Sequence, residues 1–240
     1  MHFKVNMGGR GVPANTFIVN VDEILTDDGI RNEFFNYKRL SFKSITDSIR
    51  WCARHRLIHN SLRCAPCEEP MSFVVRHQLG DGFRWQCKIC GASSSLRKDS
   101  FFSRSHLSLE QIVTIVYGWA RNDEQFRIIC EAEISSNTRN TIVDWCSFCR
   151  DICEQFLVDH PSEVIIHEQN FVNPNDPEIH TQNVENLWMR TKHKLRRQFG
   201  TSEDLFVSYL HEFIWRNKFR QVRDYLFNEF LLCIVKQYPI

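Results

Sequence analysis

The residues with the most definite chemistry are four cysteines arranged in two pairs. Cys64-Ala-Pro-Cys67 and Cys87-Lys-Ile-Cys90 are Cys-x-x-Cys knuckles separated by nineteen residues. Each knuckle offers two thiolates from one tight turn, and two knuckles together complete the tetrahedron that structural zinc requires. Four unligated thiols or two disulfides are the other outcomes this pattern allows. A site closed by four thiolates has no open position for a substrate. Zinc held by Cys64, Cys67, Cys87 and Cys90 is therefore expected to be a structural staple.

The insert between the knuckles has to bring them together, and its composition suits that task. Met71 to His77 (MSFVVRH) is rich in strand-favouring residues, and Phe83 to Cys87 (FRWQC) alternates apolar and polar. Gly80-Asp81-Gly82 supplies the turn between them. A second set of cysteines, Cys146, Cys149 and Cys153, lies in a predicted helix instead. Spacing of i, i+3 and i+7 among apolar neighbours makes it a buried core stripe and not a second metal site.

Helices account for most of the remaining chain. Val21 to Tyr37 is expected to be helical. Ser44 to Leu57 has helical periodicity, and Ser44-x-x-Asp47 resembles a capping box. Ser108-x-x-Gln111 opens a helix carrying Leu109, Ile112, Val113, Val116 and Trp119 on one face. A short helix over Glu124 to Glu133 comes next, then a polar break, then a long helix from Asn137 to about Val158. That helix places Ile142, Trp145, Cys146, Cys149, Ile152, Cys153 and Phe156 on its inner face. Two shorter helices and a longer one with a polar start suggest a helix-turn-helix. In that motif Asn137, Thr138, Arg139 and Asn140 would meet base edges in the major groove; an ordinary three-helix packing unit has the same pattern.

Beyond His160-Pro161, Glu163 to Phe171 reads as a strand and Asn173 to Pro177 as a turn-rich loop. Gln182 to Phe199 reads as a helix that carries Arg190, Lys192, Lys194, Arg196 and Arg197 with no acid among them. Such a run is either a solvated face or a row of DNA phosphate contacts. Two further basic patches, Arg97/Lys98/Arg104 and Arg216 to Arg223, favour nucleic acid. A helix starting near Asp204 is expected to bury Leu205, Tyr209, Leu210 and Phe213, and Tyr225 to Val235 closes the chain as an apolar helix.

The 240 residues suffice for one large domain or two to three small ones, and 42% hydrophobic with 25% charged residues describes a folded chain. The formal charge of +1 conceals the local basic clusters. The N-terminus lacks the apolar core of a signal peptide, and knuckle spacing favours a reducing compartment. No apolar run reaches membrane-spanning length. An intracellular, soluble protein with no membrane partner is expected.

Several blocks together resemble the Merlin-type DNA transposases, eukaryotic relatives of a group of bacterial insertion-sequence transposases. They are the knuckles, Tyr117-Gly-Trp119-Ala, Val143-Asp-Trp145-Cys with Cys149-Arg-Asp-Ile-Cys153, and Asn170-Phe-Val-Asn-Pro174. His180-Thr-Gln-Asn-Val-Glu185-Asn-Leu-Trp188 and Tyr209-Leu-x-Glu212-Phe-x-Trp215-Arg216 complete the match, which runs from about Cys64 to Arg220. The resemblance implies an RNase H-like catalytic domain with an acidic triad holding two Mg2+ ions. Two-metal phosphoryl transfer needs those ions about 3.5–4 Å apart.

Only Glu185 matches a triad position. The segment that would carry both aspartates, with most of the central sheet, has no counterpart between Val158 and His167. The resemblance thus implies a mainly α chain with a small β zinc ribbon (α+β). An N-terminal helical arm (1–60), the ribbon (61–105) and a helix-turn-helix (106–160) precede a truncated RNase H-like remnant with C-terminal helices (161–240). The function it implies is nuclear binding of double-stranded DNA at transposon ends, alone, as a homo-oligomer or with a full-length transposase, with Mg2+ not retained. A zinc-stapled protein-interaction module and an active transposase are the competing readings.

Overall fold

A computed structural model describes residues 16–135, 139–160, 172–173, 176–180 and 203–240. The chain is mainly helical with a small antiparallel sheet, and it forms two units. One comprises residues up to Arg139 together with Phe227–Ile240; the other spans Asn140–Leu226.

In the first unit the single helix expected over Val21 to Tyr37 is broken into pieces. A 3-10 turn occupies Val21–Glu23, α1 spans Asp27–Arg31 and α2 spans Tyr37–Leu40. Capping explains the division. Thr26 Oγ1 accepts from the Gly29 amide and Asn36 accepts from the Arg39 amide, so each side chain starts a new short helix where one continuous helix would have no cap. Helix α3 (Ile45–Arg54) starts at Ser44, which accepts from the Asp47 amide. Helix α4 (Leu109–Ala120) has a reciprocal box: Ser108 Oγ accepts from Gln111 N and Gln111 Oε1 accepts from Ser108 N.

Helix α4 is enclosed nearly all round, and Ile112 and Ile115 are completely buried. It packs on α5 (Gln125–Glu131), as well as on α2 and α3. Gly118 permits this approach, since a Cβ there would lie 2.7 Å from both Ile128 Cγ1 and Tyr37 Oη. The Tyr37 hydroxyl donates to Asp123 at 2.7 Å, joining the start of α2 to the α4–α5 turn.

Three strands form the sheet: β1 (Ser72–Val75), β2 (Phe83–Gln86) and β3 (Ser93–Ser95), antiparallel in that order. The first two lie within the expected strand ranges. Strand β3 follows the second knuckle, and residues 96–105, where the basic patch Arg97/Lys98/Arg104 was expected, come after it. Leu96, Phe101 and Phe102 are buried there, and Arg97 is only 7% exposed. Arg97 pairs with Asp81 in the β1–β2 turn through Nε (2.8 Å) and a second guanidinium nitrogen, and donates to the Ser105 carbonyl. The expected Arg97/Lys98/Arg104 patch therefore loses its first member to an internal ion pair.

The closing helix, α8 (Leu226–Gln237), returns to the N-terminal segment. After its first residue it belongs to the first unit. Phe227 packs edge-on against Phe35 and Tyr117, and Phe230 lies 4.7 Å from Trp119. Buried Asn228 donates to the carbonyls of Ile30, Arg31 and Glu33, at and just beyond the end of α1. Arg31 donates to Glu229 at 2.7 Å.

The second unit contains α6 (Arg139–Asp159), a two-stranded hairpin and α7 (Glu203–Lys218). Strands β4 (Val172–Asn173) and β5 (Asp176–His180) pair antiparallel where a loop was expected. The inner face of α6 is buried as its periodicity predicts, with Ile142 and both Cys149 and Cys153 fully enclosed. Helix α7 differs from its expected pattern. Leu205 is 45% exposed, whereas Glu212 and Trp215 are buried. The contacts with α6 explain the rotation: Arg150 Nε donates to Ser208 at 3.0 Å and stacks over Tyr209, and Phe219 packs on Phe156. Arg216 is engaged with Glu212 at 2.7 Å, which removes it from the second basic patch. A 3-10 segment, Arg220–Tyr225, leads on to α8. The Glu163–Phe171 strand and the Gln182–Phe199 helix lie outside the described residues.

Candidate metal centre

The four knuckle cysteines converge. Their sulfurs all lie within 4.8 Å of one another, and Cys64 Sγ is 3.5 Å from Cys90 Sγ. Among the described residues this is the one group of histidine, cysteine or acidic side chains placed to hold a metal ion. Cys64 and Cys87 are buried, Cys67 is half-buried and Cys90 is exposed. The cluster thus sits at the surface with one thiol of each knuckle inside.

The two turns have the same construction. The Cys64 amide donates to the Glu69 carbonyl at 2.9 Å and the Cys87 amide to the Ala92 carbonyl at 2.8 Å. In each, the residue following the second cysteine has positive φ: 57° at Glu68 and 73° at Gly91. Glycine adopts that conformation freely, whereas a residue with a Cβ is disfavoured there. Glu68 is supported by its amide's 2.7 Å bond to the Cys64 carbonyl and by Arg63, which donates to the Glu68 carbonyl.

Strands β1 and β2 hold the second knuckle against the first. Trp85 is completely buried beside Phe73, and Phe73 stacks on Phe83 with ring centroids 4.7 Å apart. A bridge between Arg63 and Pro70, with the Met71 amide donating to the Leu62 carbonyl, fastens the first knuckle to the start of β1.

Crowding four thiols creates an electrostatic problem that a cation solves. The Cys67 thiol is pushed up to about 12, chiefly by its contact with Cys90 and then by burial. Cys87 moves down to about 7, because the backbone N–H groups of Cys90 and Ile89 point at its sulfur; the Ile89 amide lies 3.4 Å away. One thiolate is therefore favoured by the turn itself, and further deprotonation requires positive charge among the sulfurs. A divalent ion supplies that charge. The donor set and its closed geometry fit a structural metal such as zinc.

The stripe on α6 behaves differently. Burial pushes the Cys146 thiol up to about 11, and Cys149 well above the usual thiol range with Cys146 and Cys153 adding to it. Neutral, enclosed thiols of this kind are packing residues, as the helical spacing implies.

The expected DNA-contact residues are only partly within view. Arg139 begins α6 and Asn140 is exposed in its first turn. Asn137, Thr138, Glu185, Arg190, Lys192, Lys194, Arg196 and Arg197 lie outside the described residues. No helix among the described residues is long and apolar enough to cross a membrane. No protein-family model, no curated protein and no solved structure matches the chain.

Proposed function

We propose that this chain is a transposase-derived, double-stranded-DNA-binding protein of the nucleus, stapled by Zn2+ at Cys64, Cys67, Cys87 and Cys90 and without DNA-cutting activity. The observation that carries the reading is the convergence of four thiols from two matched knuckles, at the point where the resemblance to Merlin-type transposases begins. A ribbon whose shape depends on a metal is a rigid platform for recognition. The helix-turn-helix read from the sequence would add base contacts from Arg139 and Asn140 at the start of α6. The basic run from Arg190 to Arg197 would add phosphate contacts.

The inactivity has a sequence basis. Two-metal catalysis requires several carboxylates on one site, and the resemblance supplies only Glu185. Mg2+ has no second or third acidic ligand from the triad.

Fluorescence anisotropy with labelled duplex DNA across a salt series tests the binding. Affinity should fall steeply and linearly on a logarithmic salt axis as phosphate contacts are lost. Arg139→Ala should weaken a preferred site more than random duplex, by about 1–3 kcal/mol, whereas Lys194→Ala should weaken both alike. An absence of salt-dependent binding to any duplex would overturn the reading. In a parallel arm, end-labelled transposon-terminus DNA with Mg2+ or Mn2+ should remain intact. Specific nicking that disappears in Glu185→Gln would show an active site.

A further inference from the structure

Strand register divides the side chains of the ribbon sheet between two faces. Phe73 pairs with Trp85 and Val75 with Phe83, and Ser94 continues that face on β3. This is the inner side, where Trp85 is fully enclosed. The opposite face carries Ser72 and Val74 of β1, Arg84 and Gln86 of β2, and Ser93 and Ser95 of β3. Ser93 and Ser95 are exposed, Val74, Arg84 and Gln86 are half-buried and Ser72 is enclosed, so the β2–β3 side of this face is the part open to solvent.

Its charge is one-sided. Arg84 stands at the centre, flanked by Val74 and Ser95. Arg76 lies just beyond β1 and donates to Gln86 at 2.6 Å, which lays its guanidinium across the same face. Among the described residues neither Arg76 nor Arg84 has a carboxylate within ion-pair distance, whereas Arg31, Arg50, Arg56 and Arg97 of the same unit each do. The Arg84 Nε is shielded from water and has no hydrogen-bond partner. With that nitrogen enclosed, the outer N–H groups of Arg84 and Arg76, which have no carboxylate partner among the described residues, are what an anion with several acceptor oxygens would match. The serine hydroxyls alongside can donate to the same oxygens.

We infer that this sheet face, centred on Arg84 with Arg76 and Ser93, is a docking surface for the phosphate backbone of double-stranded DNA. The inference rests on the DNA-binding reading above and locates part of that binding on the ribbon. Charge complementarity selects the partner. An acid-free surface of two guanidinium groups with hydroxyls beside them fits a polyanion that offers several acceptor oxygens at each phosphate.

The test uses the full chain loaded with metal and a labelled random-sequence duplex. The double variant Arg76→Ala/Arg84→Ala should reduce affinity about tenfold at moderate salt and make the logarithmic salt slope shallower by about two, one for each lost phosphate contact. Ser93→Glu, at an exposed position on the same face, should weaken binding in the same direction by placing a carboxylate against the DNA. It also decides the matter if the double variant loses metal or fold. Arg76→Lys/Arg84→Lys should retain most of the affinity, since a phosphate accepts either cation. If Ser93→Glu and the folded double variant bind as the wild type does, the sheet face is not the surface, although the chain still binds DNA. If the wild type binds no duplex at any salt, the DNA-binding reading falls and this inference falls with it. Capture of single-stranded RNA or an acidic protein in place of duplex would overturn the assignment of the partner.

Discussion

The ribbon and the α6 stripe use the same residue for opposite purposes. In the ribbon, Cys64, Cys67, Cys87 and Cys90 sit at tight turns on both sides of a hairpin, and four sulfurs meet within 4.8 Å. On α6, Cys146, Cys149 and Cys153 follow one another along a helix and disappear into an apolar face. The local backbone makes the difference. A turn aims two side chains at one point, and at Cys87 it also presents backbone N–H groups to the sulfur, which favours that thiolate. A helix face places each thiol against neighbouring side chains in a medium that favours the neutral form.

Removing one cysteine from each set gives the largest contrast. Cys87→Ser should abolish stoichiometric metal binding and unfold the ribbon, because binding free energy at such sites is folding free energy. Metal analysis and the dispersion of amide NMR signals read this outcome. Cys149→Ala should leave metal content unchanged and cost about 1–2 kcal/mol in chemical denaturation, the usual penalty for a small cavity. A fall in metal stoichiometry in Cys149→Ala would show that the stripe is not merely packing.

A second experiment asks how much of the ribbon is held by something other than metal. Arg97 and Asp81 form a buried ion pair that ties the hairpin turn to the segment after β3. Removing one partner leaves the other charge enclosed, so Arg97→Ala should destabilise the first unit by about 3 kcal/mol while the protein still binds its metal. Thermal melts with parallel metal analysis separate the two. Loss of the metal together with the fold would mean that the knuckles cannot close without this pair.

The smallest expected effect lies away from both cysteine sets. Glu33 accepts from buried His55, whose ring also contacts the Trp51 carbonyl. Burial pushes the Glu33 carboxyl up, but the hydrogen bond and charge of His55, with Arg54 and Arg39 beyond, outweigh it and hold the carboxyl below its ordinary value. A depressed carboxylate contributes stability above its unfolded pKa and loses it as pH falls through the folded one. Glu33→Gln should therefore flatten the acid limb of the stability–pH curve below about pH 4.5 and leave metal content at neutral pH unaltered. An acid limb unchanged by the substitution would show that Glu33 titrates alike in folded and unfolded chains.

Much of this was written locally. Knuckle spacing fixed which cysteines converge, the Ser108 and Gln111 box fixed the start of α4, and periodicity identified the buried face of α6, because each depends on residues a few positions apart. Chain ends and partners separated by long stretches depended on the tertiary structure. Asn228 closes the end of α1 across nearly the whole chain, and no local pattern marks an asparagine for three distant carbonyls. The burial of Arg97 follows from where the β1–β2 turn brings Asp81, and the exposure of Leu205 from the side of α7 that Arg150 engages. A charged or apolar residue has one composition wherever it lies; only packing decides whether its partner is water, an opposite charge or another ring.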